Sequence, residues 1–247
     1  MPIKIGIIGG TGLTSLQGME ISSEVGIDTP FGDPSAKVVT GDYSGQQVLF
    51  LPRHGGGHTI PPHNINYRAN IWALKQAGAT DIIAVNAVGG ISANLIPGSL
   101  VIPDQLIDYT WGRQHTFNEH GSENTLHIDF TEPYCRSLRN KVLIAAKNVE
   151  INVTHSGVYA ATQGPRLETA AEINRFDNDG CDIVGMTGMP EAALARELKL
   201  CYACIALVVN AAAGRGEGEI TMQEIETHTT NGMSDVRTIL EQIIRLN

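Results

Sequence analysis

The chain has no excess of basic residues, no apolar run long enough to span a membrane and few cysteines. Lys and Arg number 17 against 26 Asp and Glu, a formal charge of −9. That is the wrong sign for coating nucleic acid or an anionic membrane, so a small-molecule partner is expected. Nowhere do the roughly 18 consecutive apolar residues of a spanning helix occur. Met1-Pro2-Ile3-Lys4 leads straight into an apolar strand, not a signal-peptide pattern. The expectation is a soluble, cytoplasmic protein. Cys135, Cys181, Cys201 and Cys204 are too few for a disulfide framework in a chain of this size. Cys201 and Cys204 have CxxC spacing but sit in an apolar run, which predicts plain core thiols. Internal repeats, low-complexity tracts and linker-like composition are also missing. The 247 residues therefore read as one α/β domain, 1–247, with a substantial core.

What is present is a recurring order of apolar strand, glycine turn and helix. Ile3 to Ile8 runs into Gly9-Gly10-Thr11-Gly12, Asp81 to Asn86 meets Gly89-Gly90, and Cys201 to Val209 ends at Asn210. Asn64 is placed to cap a helix carrying Ile65, Ala69, Trp72 and Ala73, closed by Gly78. Pro190 starts another at the first-turn position, and further helices are expected at 132–148, 167–177 and 234–246. Glu20 to Asp28 reads as an irregular edge. Apolar strands alternating with helices predict a largely parallel sheet covered on both faces, with ligands beyond the carboxyl ends of its strands.

Two loops carry candidate chemistry. Gly6-Ile7-Ile8-Gly9-Gly10-Thr11-Gly12 has the glycine turn of a dinucleotide fingerprint but no acidic residue ending a second strand. A glycine nest with the Thr11 hydroxyl suits a single small anion as well. Pro52-Arg53-His54-Gly55-Gly56-Gly57-His58 places Arg53 and His54 beyond another strand end, where a planar guanidinium matches a pair of phosphate oxygens. His54, His58 and His63 are spaced for a metal on a helix, but the three glycines and Pro61-Pro62 forbid a helix there.

Asn86-Ala87-Val88-Gly89-Gly90, the run Pro97 to Asp108, Gly164-Pro165-Arg166-Leu167-Glu168-Thr169 and Gly185-Met186-Thr187-Gly188-Met189-Pro190-Glu191-Ala192 come in that order along nearly the whole chain. Together they resemble the trimeric purine nucleoside phosphorylase and methylthioadenosine phosphorylase family. The resemblance implies an α/β fold around a mixed, partly barrel-like sheet, a homotrimer, and reversible phosphorolysis with phosphate as co-substrate, no other cofactor and no metal. It further implies that Thr11, Arg53, His54, the Ala87 backbone and Thr187 hold phosphate and that Met186 lies under the ribose. Leu167 stands where the family has a purine-stacking phenylalanine, so the wall is apolar without an aromatic face.

The base can be argued from hydrogen-bond polarity. A 6-oxopurine offers an acceptor at O6 and a donor at N1–H; adenine inverts both. Glu168, at the position that faces N1 in the family, accepts from N1–H, and Asn210 can donate to O6 or N7. Adenine-specific relatives carry an aspartate where Asn210 stands and another where this chain has Ala212. Met222 and Ile225 fall where methylthio-specific relatives keep aliphatics, and His127 resembles the residue a neighbouring subunit lends to that pocket. The expected catalytic residues are Asn210, Glu168 and His54, and the expected substrate is 5'-methylthioinosine. Inosine or guanosine, methylthioadenosine, and a non-catalytic dinucleotide-binding module are the alternatives.

Overall fold

Ile5 to Gly9 contains no polar side chain, and it forms a strand, β1 (Ile5–Gly9), buried at every position. β4 (Gln46–Pro52) lies on one side of it and β5 (Asp81–Gly90) on the other, both parallel to it. β5 in turn runs parallel to β10 (Cys201–Ala211) along nearly its whole length. Alternation along these strands sends Ile5, Ile7, Ile83, Val85, Ile205 and Leu207 to one face, and Ile8, Ile82, Ala84, Cys204 and Ala206 to the other. The first face is covered by α2 (Arg136–Asn148) and α5 (Met222–Arg245) through Leu138, Val142, Val236, Ile239 and Leu240. The second is covered by α1 (Tyr67–Gln76) and α4 (Glu191–Glu197) through Ile71, Leu74, Leu194 and Ala195. This is the expected α/β arrangement, with helices on both faces of a mostly parallel centre. The structure is a computed structural model that describes residues 4–118 and 127–246.

Beyond β4 the sheet continues antiparallel through β3 (Val38–Tyr43) and β2 (Glu20–Val25). Beyond β5 it continues through β9 (Ile183–Gly185), β8 (Val158–Ala161) and β7 (Gln105–Asp108), parallel among themselves. β9 meets β5 antiparallel, at Gly89 and Gly90 only, and β6 (Leu100–Val101) adds antiparallel to β10. β5 therefore has three neighbours, and the ten-stranded sheet forks there. Glycine permits it: a Cβ on Gly90 would stand 2.0 Å from the Leu95 carbonyl oxygen, and one on Gly185 2.2 Å from the Tyr159 hydroxyl. Among the described residues no helix is long and apolar enough to cross a membrane.

Several local expectations shift. β5 does not end at Asn86; Gly89-Gly90 is strand and not turn, because β9 and β10 both pair with it. Asn210 is the penultimate residue of β10, next to a register shift, and not the residue beyond it. α1 is capped by Asn66, whose side chain accepts from the Ala69 N–H, because Pro62–Asn64 forms a separate 3-10 turn. Pro190 precedes the first turn of α4 and does not sit in it. The segment read as an irregular edge contains β2, exposed at all six positions. α5 starts at Met222, well before the expected 234. Cys201 is not a plain core thiol: the start of β10 meets the residue before α2, and Cys201 is disulfide-bonded to Cys135 across 66 residues, while Cys204 is buried and free.

Candidate active site

The carboxyl ends of β1, β4, β5, β9 and β10 surround a cavity of about 400 Å³. Thr11 follows β1, Arg53 and His54 follow β4, Ala87 lies near the end of β5, Met186 and Thr187 follow β9, and Asn210 is next to last in β10; all line the cavity. Leu167 and Glu168 enter from the loop between β8 and α3 (Ala170–Asn178), and Met222 and Ile225 from the first turn of α5. The structure thus gathers every residue singled out from the sequence except His127, which is exposed and lies outside the cavity lining.

One end of the cavity is polar and deeply buried. Arg53 is fully buried, and its Nε and Nη2 each donate to the Glu191 carboxylate at 2.8 Å. Nη1 donates to the Val85 carbonyl at 2.9 Å and Nη2 to Asn86 Oδ1 at 3.2 Å. The fork that suited a phosphate is therefore closed on a carboxylate, which leaves one N–H of Nη1 uncommitted. Tyr202 donates to the same carboxylate at 2.8 Å, so Glu191 is itself held in place. Asn86 donates to Thr187 Oγ1 at 2.8 Å, and this accepted bond leaves the Thr187 hydroxyl proton free to donate elsewhere.

His54 lies 2.8 Å through Nδ1 from the Ile60 carbonyl oxygen. A carbonyl only accepts, so Nδ1 carries the proton, and in the neutral ring Nε2 is an acceptor. Burial, reinforced by the neighbouring Arg53 charge, lowers the His54 pKa to about 4, so the ring is neutral at pH 7. His58, with its ring 4.4 Å from that of His54, is also lowered by burial. Among the described residues no group of three or more His, Cys, Asp or Glu side chains could hold a metal ion.

Elsewhere in the cavity lining stand an acid and an amide. Thr162 donates to Glu168 Oε1 at 2.7 Å, and Oε2 has no hydrogen-bond partner among the described residues. Thr169 and Glu172 form a capping box that fixes the start of α3 directly after Glu168. Asn210 donates one Nδ2 hydrogen to the Ala211 carbonyl at 2.8 Å, which keeps one N–H and Oδ1 available. Leu167 and Met222 form an exposed apolar rim, 41% and 66% accessible, and Ile225 stands behind Met222 and joins the core. Met222 and Ile225 are thus both helix residues and cavity wall.

Glu191, Asn86 and Tyr202 shape the polar end, yet none was singled out from sequence as a site residue. The usable signal was chemical: a guanidinium heading into an apolar strand cluster requires a buried anion.

Five strand ends thus converge on one cavity with a buried cationic corner, an acid, an amide and an apolar rim, the ligand-binding arrangement of an α/β sheet. The chain belongs to the Phosphorylase superfamily, whose model matches residues 4–245. It is 56% identical to a "Probable S-methyl-5'-thioinosine phosphorylase" of Pseudomonas syringae pv. tomato, over 96% of this chain and 97% of that protein. It is 46% identical to a "Probable 6-oxopurine nucleoside phosphorylase" of Dictyoglomus turgidum, over 98% of this chain and 91% of that one. Among solved structures, a methylthioadenosine phosphorylase from Schistosoma mansoni in complex with adenine matches with a TM-score of 0.95 at 36% identity, over 99% of this chain and 92% of the other.

Proposed function

We propose that this protein catalyses the phosphorolysis of a 6-oxopurine nucleoside, with 5'-methylthioinosine as preferred substrate and hypoxanthine and 5-methylthioribose 1-phosphate as products. The observation that carries this reading is the pairing of Glu168 and Asn210 at one end of the cavity, an acceptor and a donor with free valences. Ala212 supplies no carboxylate there to hold an amino group. Both side chains are half-buried in the open cavity; once the bound base covers them, a site of this kind rejects the inverted pattern by on the order of 10⁴-fold. The relative's structure with adenine marks the alternative base, which this acid and amide do not match.

In this reading phosphate sits in the polar corner. Thr11, the Ala87 backbone, the Thr187 hydroxyl and the remaining Arg53 N–H donate to it. A protonated phosphate oxygen donates its O–H to His54 Nε2, as the tautomer requires. Met186 packs under the ribose, Leu167 covers one side of the base, and Met222 and Ile225 receive the methylthio group. The glycosidic bond breaks ahead of phosphate bonding. Negative charge then grows on the purine, where Asn210 stabilises it at N7 or O6. Phosphate captures the oxocarbenium-like sugar from the face opposite the base and inverts the anomeric carbon. Positioning supplies much of the acceleration.

The same reading makes the enzyme a cytoplasmic homotrimer with no metal or other cofactor, in which His127 of one subunit completes its neighbour's 5' pocket. The test is an assay of methylthioinosine with and without phosphate. Turnover that requires phosphate and yields the sugar 1-phosphate supports the proposal; equal turnover without phosphate marks a hydrolase and refutes it.

A further inference from the structure

Arg113 is buried but lies outside the cavity lining. Its Nη1 donates to the Met186 and Met189 carbonyls and, at 3.3 Å, to the Tyr67 hydroxyl. Nη2 donates to the Thr162 and Gln163 carbonyls at 3.1 and 2.8 Å, and Nε to Gln163 Oε1 at 3.1 Å. The guanidinium also lies over the Tyr67 ring, 5.3 Å from its centroid. Its two terminal nitrogens thus bind four backbone carbonyls of two separate loops, while Nε binds the Gln163 side chain. The first loop leads from β8 to Glu168, and the Thr162 hydroxyl in it donates to Glu168 Oε1. The second carries Met186 and Thr187, and Arg113 holds the carbonyls on either side of Thr187. The two loops also touch, since a Cβ on Gly164 would stand 2.5 Å from Met186 Sδ.

We propose that Arg113 is a positioning residue that sets the distance between the base end and the phosphate end of the cleft, and through Thr162 aims Glu168 at the base. The proposal rests on the reading of Glu168 given above. A loop carbonyl that loses its Arg113 hydrogen bond turns toward water, and the side chains beside it follow. Lysine cannot replace the fork, because three hydrogens on one nitrogen do not span four carbonyls.

The experiment compares wild type with Arg113→Lys and Thr162→Val, each checked for folding by circular dichroism and assayed well below its Tm. The readouts are KM for phosphate, KM for methylthioinosine, kcat, and the preference for methylthioinosine over methylthioadenosine. Misplacing reacting groups by about an ångström costs on the order of 10²-fold, so Arg113→Lys is expected to raise both KM values at least about tenfold and to narrow the base preference. Thr162→Val, which leaves Arg113 in place, narrows the base preference with KM for phosphate unchanged. A lower Tm with wild-type KM values and preference overturns the proposal. If Arg113→Lys does not fold, Thr162→Val decides, and an unchanged preference there overturns it. A wild type that itself prefers the amino purine refutes the reading of Glu168 and not that of Arg113, which the phosphate KM still tests.

Discussion

Asn210 keeps one N–H and its oxygen uncommitted because the Ala211 carbonyl takes its other hydrogen, and in the proposed reading these meet the base. An aspartate there offers no donor to O6 or N7, and it places a second negative charge near Glu168. Asn210→Asp is expected to lower kcat on methylthioinosine by on the order of 10²-fold, the usual loss for one donor to a developing anion, and to shift preference toward adenine nucleosides. Steady-state kinetics on the two nucleosides checks both. Residue types at the site were legible because they fall in short runs after strand ends, where ligands collect in sheets of this kind. Their partners were not. Arg53 reads as a phosphate fork, yet it is paired with Glu191, 138 residues away, and nothing in the local pattern announces that pairing. Arg113 was invisible for a related reason: four of its partners are backbone carbonyls, which carry no sequence signature.

At the scale of elements, β1, β4, β5 and β10 were readable as apolar runs, and α2 and α3 came within a few residues of expectation. α5 was legible only in its second half, where Val236, Ile239, Leu240, Ile243 and Ile244 recur at helical spacing. Its first half is rich in Thr, Glu and His, with Gly232 in the middle, and does not read as helix. The capping box of Thr221 and Glu224 nevertheless starts it at Met222, which brings Met222 and Ile225 to the cavity. Gly232 is there because α5 crosses β10 closely: a Cβ would stand 2.4 Å from Leu207 Cδ1. Gly232→Ala should therefore destabilise the protein by about 1–3 kcal/mol despite alanine's better helix propensity, as overpacking does. Urea unfolding measures it, and a gain in stability contradicts the close packing of α5 on β10.

For the molecule as a whole, the neutral His54 ties stability to pH. Its pKa falls from 6.5 in the unfolded chain to about 4 in the fold, so between those values the unfolded state binds the extra proton. The stabilisation is complete above pH 6.5 and is lost as pH falls to 4; the shift corresponds to on the order of 3 kcal/mol. His58 is shifted in the same direction. Unfolding in phosphate-free buffer at pH 7 and pH 5 should show a smaller pH dependence for His54→Gln than for wild type; equal dependence contradicts a buried neutral ring. The family resemblance implied a mixed sheet, but neither it nor the pattern of apolar runs announced the fork, because a fork depends on which strand edges meet. Five strand ends meet at one cavity, and in the proposed reading base recognition depends on that convergence. The ratio of kcat/KM for methylthioinosine to that for methylthioadenosine on purified protein, with saturating phosphate, measures it most directly. A ratio far above one, on the order of 10⁴, is predicted; a ratio below one contradicts the account.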